Sequence, residues 1–182
     1  DTKNFMQLDS KIQRAHFISI SPYDAEKHVW FVDAHKHIIY KFTNDGKTIV
    51  QTIGTYGVPG ADGTHFNRPT YIDFFPNGDF LLGDGYGNSR VVKFNAAGEY
   101  IKEWGSLGTG PGQFDIPHNL AIGPDGRVYV ADRTNNRIQV FTSEGEFIEE
   151  WPNIMTPQAV YLDANQDLWV TNRTLNKVLK YN

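Results

Sequence analysis

Apolar residues along this chain come in short runs, and a helical period is absent throughout. Each run covers four or five positions and is closed by a polar residue or a glycine turn, the pattern of short strands rather than helices. One phrase recurs four times: an apolar strand, a Gly-containing turn, an apolar strand ending in Asp or Asn, a polar turn, and a strand ending in an aromatic residue. Its second strand reads Val29-Trp30-Phe31-Val32-Asp33, Phe80-Leu81-Leu82-Gly83-Asp84, Val128-Tyr129-Val130-Ala131-Asp132 and Leu168-Trp169-Val170-Thr171-Asn172. The closing polar residues lie 51, 48 and 40 positions apart. That period is the length of a four-stranded blade, so the pattern predicts an all-β propeller with four repeats.

The third strands align as Ile38–Phe42, Val91–Phe94, Ile138–Phe141 and Val178–Tyr181. In the first three repeats a turn carrying Gly46, Gly98 or Gly145 leads into a fourth strand, at Ile49–Ile53, Tyr100–Trp104 and Phe147–Trp151. Glycine suits these turns because tight antiparallel connections need positive φ. The blades are expected at about 14–54, 66–106, 114–153 and 154–182 within one domain. The fourth lacks a fourth strand, and a strand at Asn4-Phe5-Met6-Gln7-Leu8 within residues 1–12 would complete it and close the ring. The alternative is a longer, six-bladed ring in which that strand serves another blade.

Composition agrees with the pattern and narrows the partners. Twelve Phe, nine Tyr and four Trp, with 17 Gly and 9 Pro, favour a pleated, turn-rich fold. The 17 basic and 21 acidic residues give a net charge of −4 without charge blocks, so no basic face gathers phosphates and nucleic acid is not an expected partner. No apolar run approaches the roughly 20 residues of a membrane span. No cysteine is present, which removes disulfide and thiol chemistry and leaves the redox compartment unread.

Two stretches carry a resemblance. Gly112-Gln113-Phe114-Asp115-Ile116-Pro117-His118-Asn119-Leu120-Ala121-Ile122, followed by Val130-Ala131-Asp132-Arg133-Thr134-Asn135-Asn136-Arg137-Ile138-Gln139-Val140-Phe141, resembles an NHL repeat almost residue for residue. A narrower resemblance is to the peptidyl-α-hydroxyglycine amidating lyases, whose phrases are matched by Asp84-Gly85-Tyr86-Gly87-Asn88-Ser89-Arg90, by Pro117 to Ala121 and by Ala131 to Asn135. The resemblance implies a six-bladed parent architecture, zinc on inner-strand histidines with His118 as a ligand, Tyr86 as the catalytic phenol, and Arg133 as a contact to the substrate carboxylate. It also implies calcium as a second cofactor and an extracytoplasmic setting, although the sequence itself leaves localisation open. Gly87 stands where the family has cysteine, so the family's local disulfide is lost.

The same residues can be weighed on their own chemistry. The residue at the inner mouth of each first strand is His16, Thr70, His118 and Gln158, with histidine in alternate blades. Two imidazoles facing one axis form part of a zinc site, whose catalytic form uses three protein ligands and an open position; the third is not evident. The competing reading is a pair of channel-lining imidazoles bonded to water or neighbouring blades. His28, His35, His37 and His65 fall in turns or at strand edges, where solvated roles are expected. Tyr86 and Arg133 follow the polar end of a second strand and should emerge on the rim that carries the histidines, with Arg173 as a second cation. The recurring Asp33, Asp84, Asp132 and Asn172 read as turn-stabilising groups. The Gly-rich stretch 105–112 lacks the Lys-Ser/Thr and helix of a phosphate cradle and reads as a connector.

Two functions follow: a zinc-dependent lyase releasing glyoxylate, or a scaffold whose rim binds a peptide or protein partner without metal. A ring shared between chains would add oligomerisation and a source for the third ligand. A sugar-lactone hydrolase ranks behind both, since the mouths carry no Glu to hold its cation.

Overall fold

A computed structural model describes residues 12–181, so the expected strand at Asn4–Leu8 lies outside the described residues. The first blade comprises β1 (Ala15–Ile20), β2 (Val29–Asp33), β3 (Ile38–Phe42) and β4 (Ile49–Ile53). The second comprises β5 (Tyr71–Phe74), β6 (Phe80–Asp84), β7 (Arg90–Phe94) and β8 (Tyr100–Trp104), with a single helical turn, α1 (Gly85–Asn88), between β6 and β7. The third holds β9 (Pro117–Ile122), β10 (Val128–Asp132), β11 (Arg137–Phe141) and β12 (Phe147–Trp151). The fourth holds β13 (Pro157–Leu162), β14 (Leu168–Asn172) and β15 (Lys177–Tyr181). Every sheet is antiparallel with its strands in chain order, as hairpin connections dictate.

Two details depart from the apolar pattern. Three third strands start one residue early, at Arg90, Arg137 and Lys177, because pairing continues through the charged residue to Asp84, Asp132 and Asn172. The turn α1 breaks the all-strand expectation and carries Tyr86.

In the first three blades the second strands are buried on both faces, and alternate side chains feed different interfaces, whereas β14 of the fourth leaves Thr171 exposed. On β6, Phe80 and Leu82 point toward the first blade and pack with Trp30, Val32 and Ile39. The intervening Leu81 points toward the third blade and packs with Leu120, Val130 and Phe141. Phe80 stacks on Phe94 at 5.0 Å between centroids. Fully burying such a side chain is worth about 1.5–3 kcal/mol, so each inter-blade layer is a strong joint. The innermost strands follow one another in space, β1 on β5, β5 on β9 and β9 on β13. Among the described residues no comparable packing joins β13 to β1.

The recurring aspartates are structural, as expected. Asp33, Asp84 and Asp132 are wholly buried, and each accepts a backbone N–H three residues ahead of the mouth position: Gln13 at 2.7 Å, Asn67 at 2.9 Å and Asp115 at 2.8 Å. In the second and third blades the same carboxylate pairs with an arginine that opens the next strand, Arg90 at 2.9 Å and Arg137 at 2.8 Å. These arginines then donate to connector carbonyls, Arg90 to Asp62 and His65, Arg137 to Thr109, Gly110 and Gln113. The long rim connectors are thus tied down by the ends of second and third strands. Burial raises the pKa of Asp84 and Asp132, and their hydrogen bonds and arginines oppose it.

Candidate active site

Three positions per blade meet at one rim. The first is the mouth residue, His16, Thr70, His118 or Gln158. In three blades it is a β-bulge: Ala15 and Phe17 oppose Asp33 and Val32 and leave His16 between them, and His118 and Gln158 are left out of register in the same way. A bulge turns one side chain off the sheet's alternation, which aims the two imidazoles inward.

The second position lies two residues earlier, at Arg14, Arg68, Ile116 and Thr156. The third follows the end of the second strand, at Ala34, Tyr86, Arg133 and Arg173. A backbone latch joins them in every blade: Ala34 N–H to Arg14 C=O at 3.1 Å, Tyr86 to Arg68 at 3.3 Å, Arg133 to Ile116 at 3.1 Å and Arg173 to Thr156 at 3.3 Å. Three of the acceptors are left-handed, Arg68 at φ 59°, Ile116 at 61° and Thr156 at 47°. For β-branched Ile116 that conformation carries backbone strain on the order of 1–2 kcal/mol, held beside the mouth.

These positions bring His16, Tyr86 and His118 together. The Tyr86 hydroxyl lies 3.1 Å from His16 Nε2 and 3.0 Å from His118 Nε2, and the two imidazole centroids are 5.1 Å apart. Each ring's other nitrogen reaches a backbone carbonyl of the next blade, His16 Nδ1 to Thr70 at 2.6 Å and His118 Nδ1 to Gln158 at 2.7 Å. A carbonyl only accepts, so Nδ1 carries the hydrogen in both rings and each neutral imidazole presents its Nε2 lone pair to Tyr86. Burial, the largest cause, lowers His118 to about 4, with repulsion from Arg133, His16 and Arg14 in the same direction. His16 is lowered for the same reason, with Arg14 and Arg133 contributing. The Tyr86 hydroxyl has one hydrogen and faces two lone pairs, so one Nε2 lone pair is left for another electrophile.

The donor set therefore fits part of a zinc site. Two neutral Nε2 atoms converge, and the Nδ1–H···O=C bonds are the outer contacts that orient ligating histidines. No group of three or more His, Cys, Asp or Glu side chains suited to a metal lies among the described residues. No third ligand and no carboxylate cage for calcium are assigned.

Sequence reasoning missed two arginines. Guanidinium carbons of Arg14, Arg68 and Arg133 lie 5.2, 5.0 and 5.3 Å from the Tyr86 ring centroid. Arg133 was expected; Arg14 and Arg68 share the position two residues ahead of the mouth, a coincidence visible once the blades are aligned on His16 and Thr70. Arg173 occupies the Arg133 latch on the fourth blade and is exposed, and the contacts on Tyr86 come from the other three. No two of those three carbons are more than about 10.5 Å apart, so at an effective dielectric near 20 each pair repels by roughly 1.6 kcal/mol or more before solvent screening.

The remaining histidines are engaged elsewhere. His28 is buried against Asp24 at 2.7 Å, which corrects its expected solvated role. His35 meets Arg14 Nη1 at 3.4 Å, and His37 Nδ1 accepts the Arg68 N–H at 3.0 Å. A cleft of about 400 Å³ adjoins the mouth, lined by His16, Tyr71, His118, Asn119 and Gln158 among others. At position 87 a side chain would meet Asn67, whose Cγ lies 2.2 Å from an added Cβ, so the glycine is matched by its neighbour.

Sheet architecture and sequence together define the class. The NHL repeat family matches residues 114–141, and the chain is a β-propeller that carries this repeat in its third blade. Within that class it is similar to amidating enzymes. It is 38% identical over 118 residues to peptidyl-glycine alpha-amidating monooxygenase A of Xenopus laevis, covering 62% of this chain and 13% of that protein. It is 37% identical over 145 residues to peptidyl-alpha-hydroxyglycine alpha-amidating lyase 1 of Drosophila melanogaster, covering 73% of this chain and 25% of that one. The chain thus spans a quarter or less of these two relatives. Among solved structures it shares its fold with virginiamycin B lyase from Staphylococcus aureus, at TM-score 0.62 and 19% identity, over 90% of this chain and 54% of that one.

Proposed function

We propose that this mouth belongs to a lyase that cleaves a peptide ending in α-hydroxyglycine into the peptide amide and glyoxylate. One observation carries the reading: a phenol held between two Nε2 lone pairs, with a guanidinium from Arg133 beside it. The names of the relatives fit that chemistry, since they include an alpha-amidating lyase.

The reaction moves one proton from oxygen to nitrogen and breaks one carbon–nitrogen bond. Arg133 holds the terminal carboxylate through its planar fork, which fixes the α-carbon next to Tyr86. The Tyr86 oxygen takes the hydroxyl proton as its own hydrogen passes to the departing amide nitrogen. The alkoxide electrons form the carbonyl of glyoxylate, and the C–N pair leaves with that nitrogen. Tyr86 ends with one proton as it began, so none is gained or lost overall. Zinc, held by Nε2 of His16 and His118, would supply Lewis-acid polarisation of a substrate oxygen. The Nδ1–H bonds to Thr70 and Gln158 keep both imidazoles in the tautomer that presents those Nε2 lone pairs.

The test is glyoxylate release from an N-acylated α-hydroxyglycine by the zinc-loaded chain. Tyr86→Phe should lower the rate about 10²- to 10⁴-fold with the melting temperature unchanged within a degree or two. Glyoxylate forming no faster than in buffer, from chain that holds zinc, would overturn the reading.

A further inference from the structure

The cation count at the mouth exceeds what one carboxylate can use. Arg14 and Arg68 come from the entry position of the first two blades, and Arg133 comes from the latch of the third. All three flank one phenol, and among the described residues none is within ion-pair distance of a carboxylate. Among the described residues the Arg14 guanidinium bonds to an imidazole nitrogen, His35 Nε2, and Arg68 Nε is buried with no partner. This is an uncompensated positive cluster in a chain of net charge −4. Elsewhere the fold pairs its buried arginines: Arg90 with Asp84 and Glu103, Arg137 with Asp132 and Glu150. The half-buried Arg14, Arg68 and Arg133 have no such carboxylate among the described residues, and they occur together.

A carboxylate offers about four lone-pair sites, which two guanidinium forks fill. Its reach is also short, whereas these arginines come from three successive blades, Arg14 from the first, Arg68 from the second and Arg133 from the third. We propose that the mouth selects ligands with two separate anionic groups, one held by Arg133 and the second by Arg14 and Arg68. This deepens the lyase reading and rests on its placement of the terminal carboxylate at Arg133. In that setting the second charge is an acidic side chain next to the α-hydroxyglycine residue. The cleft of about 400 Å³ beside the mouth accommodates such a short segment.

The experiment separates binding from turnover. Isothermal titration of the full chain with acetate, succinate and inorganic phosphate compares a monoanion, a two-centred dianion and a compact one. N-acetyl-glutamyl-glycine and N-acetyl-alanyl-glycine, which cannot react, give the same comparison for peptides. Succinate and the glutamyl peptide should bind at least about tenfold more tightly than acetate and the alanyl peptide. Arg68→Gln and Arg14→Gln should each erase most of that preference while leaving alanyl-peptide affinity within about threefold. Arg127→Gln, at an exposed pair with Asp125, serves as a charge control and should leave the preference intact. Equal affinity for one and two charges, phosphate binding as tightly as succinate, or equal loss in the Arg127 control would each overturn the inference. Absence of glyoxylate release with the dianion preference intact would instead strike only the lyase reading.

Discussion

Asp132→Ala tests whether the recurring aspartates are frame or chemistry. Asp132 is wholly buried and accepts from Asp115 N–H at 2.8 Å, Asn135 Nδ2 at 2.9 Å and Arg137 Nε at 2.8 Å. Truncation leaves the buried Arg137 with Glu150 and carbonyls alone and strands the Asp115 N–H. Removing one partner of a buried pair costs about 3–5 kcal/mol, chiefly because the remaining charge is left in low dielectric. The exposed pair of Asp125 and Arg127 supplies the comparison, and Asp125→Ala should cost no more than about 1 kcal/mol. Urea unfolding followed by the fluorescence of the four tryptophans reads both. With a slope of about 2 kcal/mol per molar, the Asp132→Ala midpoint should fall by roughly 1.5–2.5 M. A shift below about 0.5 M, no larger than that of Asp125→Ala, would refute the structural assignment.

Two further outcomes follow from the mouth. His118 is lowered to about 4, so the folded chain keeps it neutral where the unfolded chain begins to bind a proton near 6.5. Its contribution to stability is therefore present above about 6.5 and lost as pH falls through about 4; a ring-proton titration midpoint near 6.5 in the NMR spectrum would contradict this. Gly85→Ala places a Cβ 2.2 Å from the Pro117 carbonyl oxygen of the next blade. It should lower the melting temperature by about 4–10 °C, whereas Gly112→Ala, with φ +73° and open space around it, should cost about 1 kcal/mol. Equal shifts in the two variants would show that the contact between the second and third blades yields freely.

The strands were legible because their burial is periodic and their turns are marked by glycine. The second strands coincide with the apolar phrases residue for residue; in the first three blades both faces are covered and nothing polar precedes the closing aspartate. The rim was legible in part: repeat alignment places His16 and His118 at equivalent mouths, while Tyr86 and Arg133 stood out through the resemblance to the amidating lyases. Arg14 and Arg68 escaped notice because they precede the strands, in a left-handed or extended entry that no hydrophobic pattern marks. Nor could spacing show that His35 and His37 point to Arg14 and to the Arg68 amide. Their i, i+2 separation suggests one sheet face, but they lie in a turn where His37 has φ 58°. The tautomers of the two mouth histidines follow from carbonyls of the neighbouring blades, a relation that only the assembled fold contains.

The latch between entry position and rim is made entirely of backbone, and it is the same whether the rim residue is alanine, tyrosine or arginine. Side-chain identity there is uncoupled from the frame that presents it. A blade can therefore exchange its contribution to the mouth without renegotiating its fold, so divergence of chemistry along this architecture needs only single substitutions at interchangeable sockets. Ala34, the smallest occupant, is wholly buried, so in the first blade that socket is closed and the blade adds its charge to the mouth through Arg14 instead.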